Sequence, residues 1–220
     1  MFPISDVIPS RTRPVVTISL IALNAVLFLY QLQLDDIGLQ RLVFKYGVIP
    51  ARFSYADVVT SMFLHADFLH FLGNMVFLWI FGDNVEDRLG HFTYVLFYLG
   101  SGGFAAAAQV LADPTSFFPM IGASGAIAGV MGAYFVIYPR SRVLTAVFLF
   151  LFLDIIEIPA IFFLGVWFLL QLLHGAMSFG TQEGGVAFWA HAGGFIVGVV
   201  AGAYVRIRDQ GGQGYWRPIE

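Results

Sequence analysis

Gly122-Ala123-Ser124-Gly125-Ala126-Ile127-Ala128-Gly129-Val130-Met131-Gly132-Ala133-Tyr134-Phe135-Val136-Ile137-Tyr138-Pro139-Arg140 is the stretch on which the fold turns. It carries no charge before Arg140, it ends where Pro139 forbids further helix, and Arg142 follows. Small residues recur four apart at Ser124, Ala128 and Gly132, with Gly125 and Gly129 beside them. That spacing lets one helix approach another at backbone distance. The run therefore reads as a membrane helix, short against the roughly 20 residues that cross hydrocarbon.

The rest of the chain is made of similar material. Hydrophobic residues form 59% of its 220 positions and charged ones 11%, against about 25% charged in a soluble domain, and mean hydropathy is +0.81. The absence of cysteine excludes a disulfide scaffold, a thiolate nucleophile and a cysteine-ligated metal. The 11 basic residues are scattered and the net charge is -3, which argues against nucleic acid as a partner.

Six apolar runs predict an all-α polytopic membrane protein with six transmembrane helices, at about 14–34, 68–81, 91–111, 124–139, 158–177 and 187–205. The first is too long for a signal-peptide core and no small-residue cleavage site follows, so it reads as a retained span. The expected organisation is a cytoplasmic N-terminus at 1–13, a six-helix membrane domain at 14–208 and a cytoplasmic tail at 209–220. Residues 143–156 are apolar but followed closely by Glu157 and Pro159 and interrupted by Asp154. They read as an interfacial or re-entrant connection, with a seventh span as the alternative.

Basic residues near span ends stay on the cytoplasmic side. An inside N-terminus leaves Arg11, Arg13, Arg88, Arg140, Arg142, Arg206, Arg208 and Arg217 inside, and only Arg41, Lys45 and Arg52 outside. Spans two, four and six then start at the outer face. His70, Asn74, Ser124 and His191 lie near those starts, in the outer half of the bilayer. Polar groups at that depth are costly and usually face an internal, water-reached cavity.

A serine hydroxyl needs a base within hydrogen-bond reach before it can attack. Gly194, Gly198 and Gly202 on span six match the small residues of span four, so a close crossing would bring His191 to Ser124. His70 and Asn74 are four residues apart on one face of span two, and both can donate to a developing oxyanion. The Ser124 backbone N–H at a helix start would be a third donor. A blander reading remains open at this point: packing glycines around a small serine, and interhelical hydrogen bonds from His70 and Asn74.

His65-Ala66-Asp67-Phe68-Leu69-His70, Asn74, Glu86-Asp87-Arg88-Leu89-Gly90, Gly122-Ala123-Ser124-Gly125 and Ala190-His191-Ala192-Gly193-Gly194 together resemble the rhomboid intramembrane serine proteases. The resemblance implies a rhomboid-like bundle in which Ser124 is the nucleophile and His191 the general base, a dyad without an acidic third member. It assigns His70, Asn74 and the Ser124 N–H to the oxyanion hole. It implies no cofactor and no metal, transmembrane proteins as substrates, cleavage near the outer end of their helices within the lipid bilayer, and span five as a gate. The expected location is a prokaryotic plasma membrane, crossed several times, with both termini cytoplasmic. An inactive rhomboid-like protein that binds membrane helices, or a small transporter, are the alternatives.

Two positions depart from the family pattern. Several members stack an aromatic residue, one turn after the serine, on the catalytic histidine, where this chain has Ala128, and many show a Trp-Arg pair in the first outer loop, where it has Ala51-Arg52. His65, five residues before His70, is expected to point elsewhere, with Asp67 either orienting it or solvated. His91 and His174 read as interfacial, and Asp154 and Glu157 as charges of an inner-face connection.

Overall fold

The computed structural model describes residues 2–149, 152–177 and 187–211. Among them, eight α-helices dominate: α1 (Val15–Gln31), α2 (Asp36–Tyr46), α3 (Tyr55–Ser61), α4 (Phe68–Leu89), α5 (His91–Ala112), α6 (Ser124–Ile137), α7 (Ala160–Met177) and α8 (Phe188–Gly211). α4, α5, α7 and α8 are long and apolar enough to cross a membrane, and α1 and α6 are shorter apolar helices. These six fall where the six apolar runs do.

The chain is not all helix. β1 (Phe2–Asp6), β2 (Arg142–Leu149) and β3 (Phe152–Pro159) form an antiparallel sheet in the order β1-β2-β3. The described part of 143–156 is thus a strand pair rather than a seventh helical span. Pro139 ends α6, and Val143 and Thr145, both β-branched, are fully buried on one side of β2. Glu157 pairs across the ladder with Arg142 at 2.7 Å, and the Asp154 carboxylate accepts the N–H of Ile155. α8 continues to Gly211, so Asp209 belongs to a helix and bonds Arg88 rather than opening a tail. Residues 212–220 of that expected tail, Arg217 included, lie outside the described residues.

At the sheet end, the helices are tied together by one buried carboxylate. α1 starts at Val15, and Pro14 before it supplies no side-chain cap. Glu86 of α4, fully buried, supplies it: its carboxylate accepts the N–H of Val16 at 2.9 Å, the N–H of Thr17 at 2.7 Å and the Thr17 hydroxyl at 2.7 Å. Orphan donors at a helix start are an anion site, and His91 at the start of α5 meets the same carboxylate at 2.6 Å. This joins α1, α4 and α5, and gives His91 a structural partner.

At the opposite end, the connection between α1 and α4 folds into α2, a 3-10 turn at Pro50–Arg52, and α3. Arg52 donates to the Phe44 carbonyl near the end of α2. Val48 and Met120 exchange backbone hydrogen bonds of 3.0 and 2.7 Å, and the Gly122 N–H donates to the Ser61 carbonyl at 2.9 Å. The first connection therefore holds the segment that leads into Ser124.

Candidate active site

α6 and α8 cross at backbone contact. A methyl group placed on Gly194 would overlap the Gly125 carbonyl oxygen, and one on Gly198 the Gly129 carbonyl oxygen, while Gly202 faces Ala133. Both rows of α6 take part: Gly125, Gly129 and Ala133 face Gly194, Gly198 and Gly202, while Gly132 lies against the Phe195 carbonyl of α8 and Ala128 packs beside Gly194. Side chains at these points would hold the helices apart.

The crossing sets Ser124 Oγ 2.7 Å from His191 Nε2, a full hydrogen bond. His191 is buried. Its other ring nitrogen, Nδ1, lies 2.8 Å from Gln171 Oε1 on α7, and the Trp167 ring lies 5.8 Å from the imidazole, tilted by 37°. Neither Gln171 nor Trp167 was expected from sequence. The available signal was a glutamine inside an apolar run with a tryptophan four residues before it, on the same helix face. Both contact the His191 ring from α7.

α4 contributes His70 and Asn74. Asp67, exposed to solvent, caps this helix by accepting the His70 N–H at 2.8 Å. The Ala66 N–H approaches His70 Nδ1 at 3.4 Å, a contact that leaves the ring proton on Nε2. That Nε2 faces Gly122: a Cβ built there would meet it at 2.7 Å and Ser124 Oγ at 3.7 Å. Gly122 also has φ of 122°, so a side chain is excluded by conformation as well as by space. The Asn74 side-chain nitrogen is buried with no hydrogen-bond partner. A buried donor left free on the wall of the cavity that Ser124 also lines is available to a ligand oxygen. The N–H of Ser124, first residue of α6, has no intrahelical acceptor either.

His65 does not point away from His70. Their ring centroids are 5.3 Å apart, because His65 lies in the turn before the cap rather than on the helix. Gln31 of α1 grips that turn from both sides, donating to the His65 carbonyl at 2.9 Å and accepting its N–H at 3.0 Å. Burial, and secondarily His70, push the His65 imidazole down to about 4, so it adds no cation to the site at neutral pH. His174 packs against Phe188, ring centroids 5.3 Å apart.

Ser124, His191, His70, Asn74 and Trp167 all line one cavity of about 1420 Å³, which also reaches Asp36 and Asp113 in the connections at that end. It exceeds the roughly 300–1,000 Å³ of small-molecule sites. No group of three metal-ligating side chains occurs among the described residues. A nucleophile, a base and two or three convergent donors around one space can perform acyl transfer.

A family model described as "Rhomboid domain" matches residues 52–208, which include all five of these residues, and the chain belongs to the rhomboid family. It is 29% identical over 173 residues to "Rhomboid protein 1, mitochondrial" of Saccharomyces cerevisiae, covering 75% of this chain and 46% of that one. It is 35% identical over 126 residues to "Putative rhomboid protease YdcA" of Bacillus subtilis, covering 56% of this chain and 62% of the relative. "Rhomboid protease GluP" of the same bacterium is 30% identical over 125 residues, 55% of this chain and 24% of that protein. The matches thus span less than two thirds of the length of these relatives.

Proposed function

We propose that this chain is an intramembrane serine endopeptidase that hydrolyses peptide bonds in or near the transmembrane helices of other membrane proteins. The observation that carries this reading is the 2.7 Å contact between Ser124 Oγ and His191 Nε2 at the wall of a large cavity. In the proposed mechanism His191 takes the Ser124 proton as Oγ attacks the scissile carbonyl. His70 Nε2–H, the free Asn74 amide and the Ser124 N–H receive the oxyanion. His191 then protonates the leaving amine and activates water to release the acyl group. No cofactor takes part.

In this reading α1, α4, α5, α6, α7 and α8 are six membrane spans making up 14–208, and α4, α6 and α8 begin at the outer face. Both termini, 1–13 and 209–220, are cytoplasmic, and the membrane is a prokaryotic plasma membrane. Arg88, Arg142, Arg206 and Arg208 gather at the end where the sheet and the tie to Asp209 lie, which supports that orientation. The test is reconstitution with a panel of transmembrane segments, together with a serine-directed fluorophosphonate. Wild type should cleave and be labelled at Ser124, while Ser124→Ala and His191→Ala should fold and do neither. Folded wild type that takes no label and cuts no segment would leave a helix-binding role instead.

A further inference from the structure

We propose that Gln171 is a positioning residue for His191: its side-chain oxygen accepts the Nδ1–H of the imidazole and so keeps Nε2 free to face Ser124. The inference deepens the proteolytic reading and rests on it.

A neutral imidazole has one N–H, and the partner of one nitrogen decides which of the two carries it. His191 makes two short contacts on opposite edges, 2.8 Å from Nδ1 to Gln171 Oε1 and 2.7 Å from Nε2 to Ser124 Oγ. An amide oxygen only accepts. With Gln171 Oε1 against Nδ1, the proton must sit on Nδ1, and the Nε2 lone pair is left to take the serine proton. Once it does, the imidazolium donates from both nitrogens, and Gln171 keeps the same bond in the same geometry. The contact therefore fits the ring before and after proton transfer, with nothing to rearrange in between.

The placement of Gln171 supports a role beyond filling space. It interrupts the apolar sequence of α7, where a polar side chain is costly unless paired, and its partner is the histidine. Trp167, one turn earlier on α7, lies against the same ring, and Phe168 stacks on Phe195 of α8 with centroids 4.6 Å apart. α7 thus holds the base at two points of its ring and holds the helix that carries it. The other titratable group acting on His191 is His70 across the cavity, which has no part in fixing Nδ1.

The test compares wild type with Gln171→Leu and Gln171→Glu by steady-state cleavage across pH, with thermal unfolding as the check on folding. Leucine should lower kcat about 10- to 100-fold, the cost of an unmade hydrogen bond at a buried group, with KM within about twofold. Glutamate should restore most of the rate and move the acidic limb of the kcat profile to higher pH, since a carboxylate favours the imidazolium. A folded Gln171→Leu with wild-type kcat, or a Gln171→Glu profile that does not move, overturns the proposal. Nitrogen-15 spectra of His191 in wild type need no variant: the Nδ1–H tautomer is expected, and an Nε2–H tautomer overturns it. Wild type that resists the fluorophosphonate while showing the Nδ1–H tautomer would refute the protease reading alone.

Discussion

Replacing Gly198 by alanine tests the link between helix packing and chemistry. A Cβ at this position would lie 2.7 Å from the Gly129 carbonyl carbon and 2.8 Å from the Ala133 nitrogen, besides overlapping the Gly129 oxygen. All three are backbone atoms, so no side chain can swing aside. The Gly129 oxygen, at 1.9 Å, is the nearest of them, and restoring ordinary contact at about 3.4 Å requires α6 and α8 to separate by about 1.5 Å in a close-packed interior. Ser124 and His191 ride on those two helices, and their 2.7 Å contact would stretch beyond normal hydrogen-bond length. Overpacking of this kind costs about 1–3 kcal/mol of stability, and a misplacement near 1 Å costs about 100-fold in rate. The assay is fluorophosphonate labelling of Ser124 beside thermal unfolding, with Gly103→Ala as control because a methyl there meets nothing within 4 Å. Gly198→Ala that labels at the wild-type rate would refute the argument that backbone contact sets the reaction distance.

Three further outcomes are expected. Gly122→Ala should lower both stability and turnover, since φ of 122° strains any side chain and its methyl would press on His70 Nε2 at 2.7 Å; a folded variant with wild-type turnover would count against the oxyanion assignment. Glu86→Ala should lower the unfolding temperature, at about 3 kcal/mol for several buried donors stripped of their acceptor, while Glu86→Gln should recover part of that loss. Asp6, whose carboxyl burial raises from 3.8 to about 6, is protonated in the folded state where the unfolded chain is ionised. Its contribution is therefore full below pH 3.8 and is lost as pH rises through about 6. Stability followed across that window should fall, and Asp6→Asn should flatten the slope.

The six apolar helices were legible because each declares itself locally: a run of apolar residues, then proline, a charge or a cap. Ser124, His191, His70 and Asn74 could be singled out because polar groups beside apolar runs are rare. What sequence missed depends on contacts between distant parts. β1 and β2 pair Phe2 with Ala146, and the sequence of 143–156 is apolar at nearly every position, so the two-residue alternation that announces a strand is hidden. The closeness of His65 to His70 escaped helical spacing because the first lies outside the helix. The partner of His191 escaped for a related reason: Gln171 is 20 residues away, on a helix read only as a gate.

α6 has 14 residues, almost all shielded by its neighbours, and spans about 21 Å where hydrocarbon is about 30 Å thick. Helices that touch lipid must tilt or stretch to suit the bilayer around them. α6 is largely excused from that demand. The level of Ser124 is then measured from the floor of the protein upward, through a strut that lipid barely contacts. Transfer to a thicker or thinner membrane should change the tilt of the outer helices before it changes the depth of Ser124.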